Sequence, residues 1–156
     1  MPEFSELRFY HVQKTPLEKV VVDLLGKVLQ RGQKALLWLG DDGQVAYWSS
    51  VLWGIEPPHI LPHGVDDDTF AAQQPIFLST NPIAPNNADV LFVLDPTIEG
   101  PWPVADYGLQ CLVFDGKNAP LVAAARTLWA GFKTSQPNLA LVYQQQDELG
   151  KWQNKT

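Results

Sequence analysis

Apolar residues recur along this chain in two patterns that predict its secondary structure. Between Thr15 and Gly32 they fall at spacings of three and four, which predicts an amphipathic helix capped by Thr15 and ended by the glycine. Runs such as KALLWLG and ADVLFVLD are short and apolar throughout, which is typical of strands covered on both faces. Strands that alternate with helices predict an α/β three-layer sandwich with a mostly parallel sheet.

The other elements follow from the same patterns. Further strands are expected at 7–12, 75–79, 109–115 and in NLALVYQQQ, and further helices at 45–53 and 118–133. DDGQ is expected to be a turn, and the proline-rich segment 54–64 and the polar segment 65–74 are expected to be loops. No repeat or linker interrupts the pattern, so residues 1–156 are expected to form a single domain.

The last predicted helix carries two stripes of side chains about 100° apart. One stripe is apolar and is the expected core face: Leu121, Ala125, Leu128 and Phe132. The second stripe combines two cations with a large indole: Val122, Arg126, Trp129 and Lys133. Spacing alone leaves two interpretations of this second stripe, a binding surface or an ordinary mixture of core and surface residues.

Composition narrows the class of protein. The chain has 156 residues, and because 46% of them are hydrophobic we expect a globular domain with a core. Its net charge of -6 argues against direct binding of DNA or RNA. Cys111 is the single cysteine, so no intrachain disulfide is possible, and its apolar surroundings predict a buried, inert thiol. No membrane-span-length apolar stretch and no signal-peptide pattern is present, and a cytoplasmic protein is expected.

The sequence carries none of the loops that bind nucleotide phosphates. The turn HVQKTP after the first predicted strand contains neither G-x-G-x-x-G nor G-x-x-x-x-G-K-[ST], so no backbone cradle for a phosphate is predicted. Asp95 follows the apolar strand VLFVL, as a magnesium-binding aspartate does in P-loop ATPases. Without the phosphate loop, Asp95 is interpreted as a strand-end residue that bonds its own loop.

Other residues with potential chemistry lack the partners that a reaction or a metal needs. His59 and His63 are four apart, but the prolines around them exclude a helix and no third ligand lies nearby in sequence. The acidic run 66–68 lacks the spacing of a calcium loop, and Ser49 and Ser50 lack a nucleophile elbow. We therefore predict no catalytic residue, no metal and no cofactor.

Several short motifs, taken in order, resemble the chi subunit family of bacterial DNA polymerase III. They are FYHV, LWGIEPPHILPHG, PIFLST, NNADVLFVLD, VFDG, AARTLWAGFK and YQQQDELGKWQNK. Each motif alone is weak, but their order and spacing cover essentially the whole chain. The resemblance implies a Rossmann-like α/β domain without a nucleotide site. It also implies a non-catalytic adaptor that binds the acidic C-terminal tail of single-stranded-DNA-binding protein (SSB) and, on another face, the psi subunit, which links it to the clamp loader.

The resemblance also implies which residues hold the tail, whose end carries aspartates, a proline and a terminal phenylalanine with its free carboxylate. Arg126 matches the guanidinium that clamps this carboxylate. Trp129 and Trp53 match aromatic positions of the pocket, and Lys133 matches a basic position on its rim. Lys117, just before the helix, is expected to add a further cation.

Two positions that can be basic in the family are apolar here, namely Val122 and Ala130. Val122 stays among the expected site residues, although the basic rim is thinner than in the family. A thinner rim implies a weaker hold on the acidic residues of the tail.

Alternatives to the adaptor remain open at this stage. One is a small α/β enzyme that processes a nucleotide or phosphoester with Asp95 and the strand-end loops. Another is a chi-like domain that serves a different acidic-tailed partner. For the face that binds psi, the candidates are the segment VAYWSSVLW and the proline-rich loop around Trp102.

Overall fold

The computed structural model of the protein describes residues 5–54, 61–65, 71–103 and 106–156. The strands of this part are β1 (Glu6–Val12), β2 (Ala35–Trp38), β3 (His63–Val65), β4 (Ile76–Ser79), β5 (Val90–Val93), β6 (Leu109–Asp115), β7 (Ala140–Gln146) and β8 (Trp152–Asn154). Its α-helices are α1 (Leu17–Gln30), α2 (Asp42–Trp53) and α3 (Ala119–Ser135), and a short 3₁₀ turn covers Ala71–Gln73. Within these described ranges, no helix is long and apolar enough to span a bilayer.

The strands form one sheet in the order β3-β4-β2-β5-β6-β1-β7-β8. All neighbouring pairs are parallel except β7 and β8, which pair as an antiparallel edge. Every residue of β2, β4 and β5 is buried, as expected for strands with a layer on each face. The predicted mostly parallel sheet is confirmed.

The helices lie in two layers. The buried sides of α1 and α2, including Leu25 and Trp48, pack with Tyr10, Phe92 and other side chains on one face of the sheet. The helix α3 packs on the other face, where Ala125 meets a cluster that includes Phe9. We call these the α1 face and the α3 face. Two helical layers around one sheet confirm the predicted three-layer α/β sandwich.

The start of α1 differs from the prediction. The helix begins at Leu17, and Pro16 occupies the N-cap position without a side-chain hydrogen bond. The hydroxyl of Thr15 instead accepts a hydrogen bond from Nε2 of Gln146, at 2.8 Å. Oε1 of Gln146 accepts the backbone N–H groups of Gln13, Lys14 and Thr15. The Thr15 hydroxyl is therefore held by a side chain from β7, and it does not cap the first N–H groups of α1 as the sequence had predicted.

Two segments expected to lack regular structure, and a C-terminal segment for which no element was predicted, belong to regular elements. DDGQ is the start of α2, because the Asp41 side chain accepts the Gln44 N–H at 2.8 Å as an N-cap. His63–Val65, at the end of the predicted loop, pairs with β4 as a short edge strand. Trp152–Asn154 pairs with the end of β7. Each pairing depends on a distant strand, so local sequence carries little signal for it.

The burial of α3 and of Cys111 agrees with the sequence patterns. Ala125 is fully buried, and the three other members of the apolar stripe pack partly buried against the same cluster or the adjoining strand ends. Cys111 is buried in β6, and burial raises its thiol pKa to about 12. A thiol with such a pKa stays protonated at neutral pH, which confirms the expectation of an inert cysteine.

Candidate functional site

The second stripe of α3 divides into a packed part and a free part. Asn118 caps the helix by accepting the Leu121 N–H, so the helix start and the phase of its faces are well defined. Val122 and Trp129 are half-buried and pack against the α3-face cluster. Arg126 is exposed between Val122 and Trp129, and Lys133 is exposed one turn after Trp129. The stripe is therefore a partly covered indole with a cation on either side of it along the helix.

Trp129 lies among aromatic rings contributed by two strands. Its ring meets Phe9 of β1 edge-to-face at a centroid distance of 5.2 Å, and Tyr143 of β7 at 5.7 Å. Phe9 and Tyr143 in turn stack at 5.8 Å. This packing holds the indole of Trp129 against the α3 face of β7. The partly exposed rings of Trp129 and Tyr143 lie next to Arg126. The site is thus a rigid aromatic floor rather than a flexible loop.

Arg126 is a free cation in this surface. In the described part of the chain its guanidinium forms no ion pair, and the ion pairs that are present, Arg8–Glu6 and Lys19–Asp23, lie on other elements. Its charge is close enough to lower the pKa of two groups beneath it, His11 and Tyr143, whose pKa values are otherwise shifted by burial. An unpaired guanidinium beside aromatic rings is a suitable receptor for a carboxylate.

His11 and Tyr143 form a hydrogen-bonded pair that the sequence analysis did not assign to the site. Nδ1 of His11 lies 2.8 Å from the Tyr143 hydroxyl, and the imidazole is 5% exposed. Gly116 packs against the other edge of the ring, where even a Cβ would overlap it, and its backbone bonds the imidazole. The sequence does carry one indication of this pair. His11 and Tyr143 are rings with a polar atom that follow apolar residues in two predicted strands, and the fold makes these strands neighbours.

Two lysines extend the positive surface. Lys117 is exposed just before α3, where its backbone N–H bonds Asp115. Lys155 lies opposite Tyr143, because its N–H bonds the Tyr143 carbonyl at 2.7 Å and β7 and β8 run antiparallel. Side chains opposite each other in such a pair share a face. Lys155 therefore joins the α3-face surface, which the sequence analysis had not foreseen.

A groove of about 720 Å³ continues from this surface along the end of the sheet. It is lined by amide side chains and by charges of both signs, with the basic Lys14 and Lys155 and the acidic Asp147 and Glu148 among them. Gln145 lies two residues beyond Tyr143 on β7, and Gln13 directly follows the end of β1 two residues beyond His11, so the groove lies near the hydrogen-bonded pair. An extended polar chain that leaves the Arg126 region has a path here.

Trp53 does not belong to this site, in contrast to the expectation from the sequence. It ends α2 on the α1 face, packs on His63 at a centroid distance of 4.3 Å, and is 63% exposed. The helix α2 covers β3 and β4 at one edge of the sheet, whereas Arg126 faces β1 and β7 toward the other edge. The physical reason is the direction of the chain crossovers, which put α2 and α3 on opposite faces. Trp53 therefore belongs to a separate surface.

The other residues with potential chemistry have structural partners. Asp95 accepts the N–H and the hydroxyl of Thr97 in its own loop, as interpreted from the sequence. The two ring nitrogens of His63 bond Ser49 and the Leu61 carbonyl, at 2.9 and 3.0 Å. His59 and the acidic run 66–68 lie outside the described residues.

The chain is similar to known proteins of one kind. Residues 4–139 match the family described as DNA polymerase III chi subunit, HolC. A relative named "Probable DNA polymerase III subunit chi", from Rickettsia prowazekii (strain Madrid E), is 30% identical over 97 residues, which are 62% of this chain and 57% of that relative's own length. The family is that of an accessory, non-catalytic polymerase subunit, so the prediction that the chain is not an enzyme is confirmed at this level. This chain belongs to the DNA polymerase III chi subunit family.

Proposed function

We propose that this chain is an adaptor that connects the clamp-loader assembly of DNA polymerase III to SSB by holding the acidic C-terminal tail of SSB. One observation carries the proposal. Arg126 is an unpaired, exposed guanidinium beside half-buried rings, in a chain whose net charge is -6. A guanidinium that is free of an ion pair and lies beside half-buried rings suits a ligand that brings both a carboxylate and an aromatic ring.

The chemistry of the tail fits this surface part by part. Its terminal carboxylate accepts two parallel N–H bonds from Arg126, which is the geometry that guanidinium groups favour. Its terminal phenyl ring packs on Trp129 and Tyr143, where ring pairs contribute about 0.5–1.5 kcal/mol beyond the area that they bury. The preceding aspartates then face Lys133 and Lys117, or Lys155 along the groove. Lys155 compensates in part for Val122, which stands where the family can have a basic residue.

A second surface suits the link to the clamp loader. Trp53 is 63% exposed on α2, and a shallow groove of about 550 Å³ beside it is lined by Val45, Ala46 and Val65 among others. We assign this surface to psi. An exposed aromatic beside an apolar groove is a typical protein-binding patch.

The alternative psi surface around Trp102 is less suitable. That ring packs edge-to-face on Trp38 and Phe132, at 5.9 and 5.5 Å, and is only partly exposed. Because the Trp53 and Arg126 surfaces lie on opposite faces of the sheet, psi and the SSB tail can bind at the same time. Simultaneous binding is what an adaptor requires.

A ligand screen by thermal shift tests the proposed function against the enzyme alternative. A ligand that binds only the folded state raises the melting temperature, and the rise grows with the logarithm of the ligand concentration above its dissociation constant. We expect an SSB-tail peptide to raise it and ATP, GTP and simple phosphoesters to leave it unchanged. A rise with a nucleotide that Asp95→Ala abolishes, together with none for the peptide, would replace the adaptor with an enzyme.

A further inference from the structure

The Arg126 surface contains a pair of groups whose proton has a defined position. His11 is buried between β6 and β7, and its Nδ1 lies 2.8 Å from the Tyr143 hydroxyl. The opposite edge of the imidazole, with Nε2, faces Gly116, whose backbone bonds the ring. The Phe114 ring packs against the same imidazole at a centroid distance of 5.2 Å.

These contacts favour one of the two ring nitrogens as the site of the proton. The Gly116 backbone lies against the Nε2 edge of the ring and favours the charged imidazole, as a group that accepts from a ring N–H does, so the proton of the neutral ring is assigned to Nε2. Nδ1 of the neutral ring then has a lone pair and accepts the hydroxyl proton of Tyr143. With its proton turned to His11, the Tyr143 oxygen presents only lone pairs to the surface, where Arg126 lies. In this state Tyr143 accepts hydrogen bonds and cannot donate one to a carboxylate.

We propose that Tyr143 contacts the ligand at the Arg126 surface and that His11 sets the direction of its hydroxyl proton, so that protonation of His11 turns Tyr143 into a donor toward the ligand's carboxylate. This inference rests on the proposed function. A protonated imidazole carries N–H on both nitrogens. Nδ1–H then donates to the Tyr143 oxygen, and the released O–H points to the surface. Tail binding and proton uptake by His11 are thereby coupled.

The charges around His11 give the sign of this coupling. Burial lowers the pKa of His11, the Gly116 backbone and Asp115 raise it, and Arg126 lowers it. Tyr143 is the remaining titratable group in contact with the ring, and burial raises its pKa. A carboxylate on Arg126 cancels the repulsion of that cation and accepts the new Tyr143 donor, so the bound state has the higher His11 pKa. By linkage, binding tightens as pH falls.

Peptide titrations at two pH values test the inference. Between about pH 7.5 and pH 5.5, above the pKa near 4 of the peptide's own carboxyl groups, we expect the dissociation constant of an SSB-tail peptide to fall about threefold to tenfold. Tyr143→Phe keeps the ring and removes the hydroxyl, so this tightening is expected to disappear. His11→Asn keeps a hydrogen-bonding side chain near the position of Nδ1 but does not titrate, so the ratio of its dissociation constants at the two pH values should be close to one.

The matched control is His63→Asn, which removes the other described buried histidine, on the α1 face, and should keep the parent profile. A second readout is the His11 pKa by NMR, which should rise when the peptide binds and in Arg126→Gln. A parent that binds with a flat profile, or a Tyr143→Phe variant with the parent profile, overturns this inference and leaves the proposed function standing. A parent that binds no peptide at either pH rejects both.

Discussion

The Trp129 indole meets the Phe9 ring edge-to-face, with the ring centroids 5.2 Å apart and the planes inclined by 76°. This contact gives Trp129 two roles, because the same ring closes the α3-face core and borders the cation Arg126. Trp129 can therefore be a core residue and a ligand contact at once, so the two interpretations of its stripe are compatible. The contact also means that Trp129 cannot be removed without cost to the fold, whereas Arg126 can.

Trp129→Ala is expected to destabilise the domain by about 2–4 kcal/mol, since it leaves a cavity between α3, β1 and β7 where a half-buried indole packed. Arg126→Ala, on the exposed side of the same helix, is expected to change stability by about 0.5 kcal/mol or less. Urea denaturation of the two variants measures the difference. Equal stability of Trp129→Ala and the parent would contradict the packing role.

Gly116→Ala is expected to destabilise the protein by about 1–3 kcal/mol, because the new Cβ would overlap the His11 ring and come within 2.9 Å of the Val12 carbonyl oxygen. Gly131→Ala is the matched control. No atom lies within 4 Å of a Cβ there, and the position is exposed within α3. The control should gain about 0.5–1 kcal/mol from helix propensity. The same sign for both variants in thermal denaturation would refute this account of Gly116.

Trp53→Ala is expected to separate the two proposed surfaces. Trp53 lies on the α1 face and is 63% exposed. Its loss should weaken the binding of purified psi by at least about tenfold, as the loss of a central aromatic residue in an interface typically does. Binding of the SSB-tail peptide should stay within about twofold of the parent, since distant sites behave independently. Titration of each partner measures both. A variant that loses peptide binding while it stays folded would return Trp53 to the tail site.

Salt is expected to weaken tail binding only in part. Between about 0.05 and 0.3 M salt the dissociation constant should rise about threefold to tenfold, because the lysine contacts on the rim are screened, while the buried ring contributes a salt-insensitive remainder. Direct binding of single-stranded DNA should be negligible at any of these concentrations, given the net charge of -6. A dissociation constant that is unchanged by salt would argue against charge pairing at Arg126 and Lys133.

Most of the fold could be predicted from local pattern. The strand at Leu109–Asp115 was predicted with its observed bounds, because its apolar run is long and bounded by turn residues. The edge strands His63–Val65 and Trp152–Asn154 could not be predicted. Three residues are too few to show an alternation of apolar and polar positions, and the pairing of these strands depends on β4 and β7. The Thr15 cap failed for a similar reason, because Gln146 comes from a strand more than a hundred residues away.

The candidate site could be predicted along α3 but not across the sheet. Helical spacing correctly placed Arg126 and Lys133 on one exposed stripe. The contributions of His11 and Tyr143 depend on β1 and β7 being neighbours, which spacing within one element does not reveal. Trp53 was grouped with Arg126 because it matches an aromatic position of the resembled family, and without the strand order nothing in the sequence assigns α2 and α3 to opposite faces.

Calorimetry of Arg126→Glu with an SSB-tail peptide tests the central claim most directly. The substitution removes the guanidinium and places a carboxylate where the ligand's own carboxylate should dock, at a cost of about 2–5 kcal/mol, or at least about thirtyfold in affinity. Arg31→Glu, an equal charge change at the exposed end of α1, is the control and should bind like the parent. The account predicts loss of binding in Arg126→Glu with a melting curve like the parent's. A folded Arg126→Glu that binds the peptide as tightly as Arg31→Glu would contradict it.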